Sequence, residues 1–311
     1  MSSPPPFRVG WIGTGRMGAA LVHRLLDAGF DVAVYNRTRS KVEALARRGC
    51  KVVDTPADLA DRDVVFIMVS GSADLTHVTT GDGGVLTHQD AVPRILVDSS
   101  TVSVAASADA RAAAEARGAQ FLAAPVSGNP KVVRAGRLTL AVSGPRAAFD
   151  QILDLLLVLG RGATYLGDGE VARLAKICHN VFLGVMIQSL TEITLLAERG
   201  GTTRAAFLEF LNDSVLGSVF TRYKSPALVN LDFTPTFTMP LLSKDFDLAY
   251  EAAHELAVPM PLASAAAQLV AGAIGAGHRD LDFATLILEQ ARRAGMTLEP
   301  ENVEVDDGLT P

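Results

Sequence analysis

Through the first half of the chain, short continuous apolar runs recur at residues 9–12, 32–35, 64–69, 95–97, 121–123 and 138–142, separated by stretches of helical spacing. Strands buried on both faces give such uninterrupted runs, and a repeat of roughly 25 residues leaves room for a crossover helix. The pattern therefore predicts an α/β domain with a doubly wound, mostly parallel sheet. The run at 138–142 can pair in either direction. Gly160, Gly162, Gly167 and Gly169 then end the alternation, and strand-like runs become scarce. That sets the boundary of the first domain near Leu166.

From residue 170 to about 199 the apolar positions Val171, Leu174, Ile177, Val181, Val185, Leu190, Ile193 and Leu196 keep near-helical spacing without a proline, and Gly184 is the one backbone weak point. A helix of roughly 30 residues, about 45 Å long, follows from this, long enough to join two domains. Shorter helical patterns at 204–211, 244–256, 262–276 and 283–294 make the second half all-α. The segment 299–311 is acidic and flanked by proline, which reads as a frayed tail. The domain reading is thus 1–7 leader, 8–166 sheet domain, 167–298 helical domain and 299–311 flexible tail.

Composition narrows the partners. Lys plus Arg number 28 against 34 Asp plus Glu, dispersed through the chain, so no basic footprint points to nucleic acid. Cys50 and Cys178 have no metal-ligand spacing, so neither a disulfide framework nor a metal site is expected, which favours the cytoplasm. Residues 1–6 carry three prolines and no apolar core of a signal peptide. No window holds about 18 uninterrupted apolar residues, and a membrane partner is not expected. A small molecule is the default ligand.

The strongest local motif is Gly13-Thr14-Gly15-Arg16-Met17-Gly18, set between the first apolar run and a helical pattern that ends at Gly29. In that setting Gly13 permits a tight turn, Gly15 lets a pyrophosphate approach the backbone N–H groups of a helix N-terminus, and Gly18 lets helix and strand pack closely. This is the dinucleotide-binding pattern of a Rossmann domain. At the end of the second strand, where an acidic residue commonly accepts from a ribose 2′-hydroxyl, the chain has Asn36-Arg37-Thr38. No carboxylate stands there to repel a 2′-phosphate, Arg37 offers a planar cation, and Asn36 and Thr38 offer hydrogen bonds. NADP(H) is the expected cofactor; the alternative for Arg37 is a solvated surface side chain.

Three further segments join the glycine loop: Ala124-Pro125-Val126-Ser127-Gly128, then Gly167 and Gly169 with Lys176 and Asn180, then Lys244-Asp245 with Leu248-Ala249. Together with Gly13, Gly15, Met17 and Gly18 they resemble, in order and over residues 8–295, the β-hydroxyacid dehydrogenase family. This is the family of 3-hydroxyisobutyrate dehydrogenase, with a 6-phosphogluconate dehydrogenase-like helical domain. The resemblance implies a Rossmann domain, an all-α domain, and a cleft between them in which a small carbonyl or β-hydroxy acid meets the nicotinamide. It implies Lys176 as general acid and base, with Asn180 one helical turn on to orient the substrate. An ammonium there can stabilise and protonate an oxygen that gains charge as hydride arrives.

By the same resemblance Ser127, Gly128 and Asn129 contact the substrate, Thr101 contacts substrate or cofactor, and Val69, Ser70 and Lys244 flank the cofactor. Ser and Thr after a strand also serve as helix caps, so Thr101 has two readings, and Ser70 has a second as a loop residue. Asp245 either holds Lys244 or caps a helix. Met17 packs against the cofactor or against its own helix, His179 reads as a packed or solvent-facing residue, and Cys178, within the apolar pattern, reads as core. The chain departs from the family at Ala123, where an acidic residue is usual, and at Asn129, where a glycine is. The second change bears on the substrate pocket. Two rival readings are an imine reductase, which shares the architecture without the lysine, and an NADPH-binding scaffold without chemistry. Family members form homodimers or homotetramers, and either is expected here.

Overall fold

The computed structural model describes residues 7–309; of the leader expected at 1–7, all but Phe7, which packs on the sheet core, lies outside them. Among the described residues nine strands form one sheet: β1 (Arg8–Ile12), β2 (Asp31–Tyr35), β3 (Lys51–Val52), β4 (Val64–Ile67), β5 (Ile95–Asp98), β6 (Gln120–Ala123), β7 (Val126–Ser127), β8 (Thr139–Ser143) and β9 (Gly162–Gly167). The order β3-β2-β1-β4-β5-β6 is parallel throughout, the doubly wound arrangement that the apolar runs predict. The ambiguous run at 138–142 pairs both ways, antiparallel to β6 and β7 and parallel to β9. The glycine cluster does not end the sheet: β9 lies within it.

Successive residues of each strand face opposite layers. On one side Trp11 stacks on Phe66 with ring centroids 5.1 Å apart, packed under α1 (Arg16–Asp27) and α6 (Arg146–Leu159). On the other, Ile12, Val65, Leu96 and Phe121 pack with α3 (Ser72–Thr80) and α4 (Val104–Ala116). The short helices α2 (Glu43–Ala46) and α5 (Pro130–Arg134) complete this layer set.

The chain divides into two compact units, Met1–Lys176 and Ile177–Pro311, and α7 (Val171–Arg199) runs through the division. The second unit is helical: α8 (Arg204–Asp213), α9 (Val219–Asn230), α10 (Met239–Glu255), α11 (Pro261–Gly275) and α12 (Leu286–Arg293) follow. At Gly184 α10 comes so close that a Cβ there would lie 2.6 Å from the Phe246 ring. As far as Leu309 the acidic end is not frayed. Glu301 accepts from the backbone N–H groups of Arg204 and Ala205, Asn230 bonds Val303, and Val305 packs on the helical core. The Glu301 carboxylate holds the N-terminus of α8.

Candidate active site

The glycine loop joins β1 to α1. Gly13 takes φ +94°, and a Cβ on it would lie 2.2 Å from the Met68 carbonyl oxygen; a Cβ on Gly18 would lie 2.0 Å from the Gly13 oxygen. Neither position admits a side chain. At Gly15 a Cβ would meet no protein atom within 4 Å, and α1 begins there with no side-chain cap on its first N–H groups. The helix end is thus left open for an anion. The Thr14 hydroxyl is buried without a hydrogen-bond partner in the described structure. Bare backbone, an uncapped helix N-terminus and an orphaned hydroxyl fit a dinucleotide pyrophosphate.

Beside this loop, at the C-terminal ends of β1, β2 and β4, an open cleft gathers Gly13, Gly15, Asn36, Arg37, Thr38, Val69 and Ser70. Seven of the expected cofactor residues therefore come together within one unit. Asn36 has a structural task as well: its Oδ1 accepts from Thr14 N at 2.9 Å and its Nδ2 donates to the Thr38 carbonyl at 2.9 Å, so it ties the glycine loop to the end of β2. Met17 packs half-buried on the sheet core. Arg16 is exposed on the first turn of α1.

The same cleft contains residues the sequence did not single out. Lys41 follows the β2 turn, and Asp74 and His77 come from α3. Arg37 Nη1 lies 3.2 Å from Asp74 Oδ1. No carboxylate stands at the end of β2, as the sequence implies, but one reaches the pocket from a helix close in space and distant in sequence.

At the next strand ends, Val69 N donates to Ser100 Oγ at 2.9 Å and Ser100 N to Asp98 Oδ1 at 3.0 Å. Thr101 is half-buried beside them, and the α4 cap is Ser103, whose Oγ accepts from Ala106 N; Thr101 is not a cap. Ser127 ends the short strand β7, and Gly128 follows it at φ +144°. Asn129 caps α5: its Oδ1 accepts from Lys131 N and Val132 N, and its side chain is buried. The substrate contact expected of Asn129 is thus reduced to its one buried amide nitrogen, which has no partner in the described structure. The departure from glycine has a local reason, a capped helix.

Lys176 is half-buried on the second turn of α7. Three residues before it, Arg173 is wholly buried; the sequence reading missed it, although a cation inside an apolar helical pattern was the available signal. In the helical unit Asn180 Nδ2 donates to Asp245 Oδ2 at 2.5 Å, and Lys244 Nζ lies 3.4 Å from Asp245 Oδ1. Asp245 sits inside α10, which starts at Met239, so it holds Lys244 and caps nothing. Asn180, expected to orient a substrate, is first of all a partner of Asp245. His179 is exposed, with Nδ1 3.0 Å from Asn180 Oδ1, and Cys178 beside it is exposed too, not in the core where the apolar pattern put it.

Residues 8–167 match the family model described as the NAD binding domain of 6-phosphogluconate dehydrogenase. Residues 167–289 match the one described as NAD-binding of NADP-dependent 3-hydroxyisobutyrate dehydrogenase. The chain belongs to the β-hydroxyacid dehydrogenase family. It is accordingly a nicotinamide-dependent oxidoreductase that works by hydride transfer. Among β-hydroxyacid dehydrogenase relatives, glyoxylate/succinic semialdehyde reductase 1 of Arabidopsis thaliana is 31% identical over 280 residues, 90% of this chain and 96% of the relative. The 2-(hydroxymethyl)glutarate dehydrogenase of Eubacterium barkeri is 30% identical over 91% of this chain and 95% of its own length. The solved structure of Mycobacterium tuberculosis 3-hydroxyisobutyrate dehydrogenase with L-serine superposes with TM-score 0.80 at 28% identity, covering 91% of this chain and 99% of that one.

Proposed function

We propose that the chain is an NADP(H)-dependent reductase of small semialdehydes and β-hydroxy acids, with Lys176 as proton donor and acceptor. The observation that carries the cofactor choice is the cleft beyond β2, where Arg37, Lys41 and His77 converge. A guanidinium gives a dianionic 2′-phosphate the bidentate, charge-assisted contact that a ribose hydroxyl does not need. Asn36 keeps this wall in register with the pyrophosphate loop.

When bound, the nicotinamide supplies or takes up the hydride. The chain supplies the rest. Lys176 gives a proton to the substrate oxygen as charge grows on it, or takes one from a hydroxyl in the reverse direction. Ser127, Gly128 and Thr101 hold the substrate, Val69 and Ser70 line the cofactor, and Lys244 is kept in place by Asp245. The names of the relatives in Arabidopsis and Eubacterium support a small acid that carries an aldehyde or hydroxyl group.

The test is turnover of glyoxylate, succinic semialdehyde and 3-hydroxyisobutyrate, followed by absorbance of the reduced nicotinamide, with NADPH and NADH compared. Higher kcat/KM with NADPH is expected, and Lys176→Ala is expected to cut kcat by about 10²- to 10⁴-fold while NADPH binding remains. Equal efficiency with the two cofactors removes the role given to Arg37. We further propose a homodimer or homotetramer in the cytoplasm. Exposed Phe182, Leu196, Phe210 and Leu216 on the helical unit support a self-association surface. Light scattering coupled to gel filtration checks it, and a monomer refutes it.

A further inference from the structure

We infer that Arg173, with its buried partner Asp98, is a positioning residue for Lys176 and links the start of α7 to the wall of the cofactor cleft. The inference rests on the proposed role of Lys176 as proton donor and acceptor.

Arg173 is 1% exposed and Asp98 is 0% exposed. The guanidinium uses every edge. Nε donates to Ser107 Oγ at 2.9 Å, Nη1 to the Ser100 carbonyl at 2.6 Å, and Nη2 to both the Asp98 carbonyl at 2.9 Å and Asp98 Oδ2 at 2.6 Å. One residue of α7 is thereby bonded to the end of β5 and to α4. Glu170, whose carbonyl accepts from Arg173 N, takes Arg111 Nε at 2.6 Å and the Ser107 hydroxyl on its carboxylate. Two cations and two anions balance, so the start of α7 is fixed on both sides without net charge.

The network does not stop at β5. Ser100, which accepts from Arg173 through its carbonyl, also accepts from Val69 N through its hydroxyl, and Val69 lines the cofactor cleft. A continuous path of hydrogen bonds therefore runs from α7 to the cleft wall within one compact unit. Lys176 stands three residues beyond Arg173, about 4.5 Å along the helix and on the same face. A helix that slides or rotates at Arg173 carries Lys176 with it.

A purely apolar contact would hold this helix at least as firmly. Buried ion pairs commonly stabilise no more than well-packed apolar side chains of equal volume, whereas they fix geometry that an apolar surface leaves free to slip. The planar fork of arginine, satisfied in four directions, sets both rotation and height of the helix. Proton transfer needs that definition, since a misplacement of about 1 Å costs roughly 100-fold in rate.

The test uses the full-length chain as wild type, Arg173→Lys, Arg173→Gln/Asp98→Asn, Lys176→Ala, and each Arg173 change combined with Lys176→Ala. Arg173→Lys keeps the charge balance without the fork; the paired neutral change leaves no charge buried alone, which guards against a failure to fold. Glyoxylate and succinic semialdehyde with NADPH give kcat and KM, and NADPH fluorescence gives affinity. Trinitrobenzenesulfonate labelling of Lys176 and Lys244, read by peptide mass spectrometry, requires no turnover.

Both Arg173 variants are expected to lose roughly 10- to 100-fold in kcat with NADPH affinity held within about twofold. Each is expected to change Lys176 labelling by at least about threefold while Lys244 labelling stays put, and to lose little further in the Lys176→Ala background, as residues acting through one another do. An equal loss with and without Lys176, or a parallel loss of NADPH affinity, assigns the network to structure alone and overturns the inference. So does unchanged labelling of Lys176. Full turnover by Lys176→Ala is a different failure: it overturns the proton-donor reading and, with it, the catalytic consequence of Arg173, whatever the labelling shows.

Discussion

Arg37 and Asp74, both in the lining of the cofactor cleft, form an ion pair, Nη1 to Oδ1 at 3.2 Å, although one follows β2 and the other belongs to α3. Arg37 is largely exposed and Asp74 about one-third exposed, so the pair itself is worth little, at most about 1 kcal/mol. Its consequence is for selectivity. Asp74 occupies the cation that a 2′-phosphate requires and places a negative charge beside that phosphate. Asp74→Asn is expected to tighten NADPH about threefold to tenfold and leave NADH unchanged, a shift of the order of an exposed charge pair. Titration of cofactor fluorescence checks this, and a matching gain for NADH would contradict it.

Arg37→Ala probes the same wall from the other side. Charge-assisted hydrogen bonds to a phosphate contribute about 1.5–3 kcal/mol, so KM for NADPH should rise about 10- to 100-fold. KM for NADH should stay within about twofold, because Arg37 then has no phosphate to meet.

The glycines of the loop separate binding from folding. Gly15 has φ −64° and open space where a Cβ would project, so Gly15→Ala should fold with an unchanged melting temperature and yet lose NADPH binding by at least about tenfold, its methyl standing where the pyrophosphate approaches. Gly18→Ala drives a Cβ to 2.0 Å from the Gly13 oxygen and should lower the melting temperature even without cofactor. Thermal unfolding with and without NADPH distinguishes the two.

Much of this architecture can be read from the chain. Continuous apolar runs, unbroken because both sheet faces are buried, gave the parallel strands, and the glycine loop declared its own turn. What stayed hidden depended on tertiary context. Strand β9 has partly exposed alternate residues and glycines at its ends, so its pattern resembles a loop. Pro226 masks α9, which Ser218 nonetheless starts with a reciprocal cap to Thr221. In the site, Asn36 and Arg37 were visible because the second strand delivers them at a fixed distance from the loop. Asp74 and His77 were not, because α3, a separate element following β4, brings them in, and no local spacing encodes that approach. Arg173 and Asp98 lie far apart in sequence, so only the fold reveals their pairing.

Asn129 offers a test of the pocket. Its side chain caps the first N–H groups of α5, so Asn129→Ala should cost about 1 kcal/mol, whereas Asn129→Ser should keep most of the cap. If the buried amide nitrogen also meets substrate, Asn129→Ser raises KM for succinic semialdehyde while stability holds. Urea unfolding and steady-state kinetics on the same variants separate the two roles.

In the helical unit, Lys224 and Asp282 are both about 2% exposed, and Lys224 Nζ lies 2.5 Å from Asp282 Oδ1. Asp282 also accepts from Thr236 N and Oγ1, Phe237 N and Ala284 N, and so closes the segment that leads into α10. Burial alone would raise the Asp282 carboxyl, but the Lys224 charge and hydrogen bond, with the Ala284 and Thr236 donors, outweigh it and hold the group below its ordinary value. A carboxyl lowered in the folded state binds its proton more readily when unfolded. Its contribution is therefore complete above the ordinary carboxylate range and is lost as pH falls through the lowered folded value. Asp282→Asn leaves Lys224 buried without its counter-charge and should destabilise by about 3–5 kcal/mol at pH 7. The difference from wild type should stay constant from pH 7 down to about 5 and shrink below about pH 4, where the wild type loses the same charge. Urea unfolding of the two proteins across this range reads the difference directly, and a gap that widened on acidification would contradict the assignment.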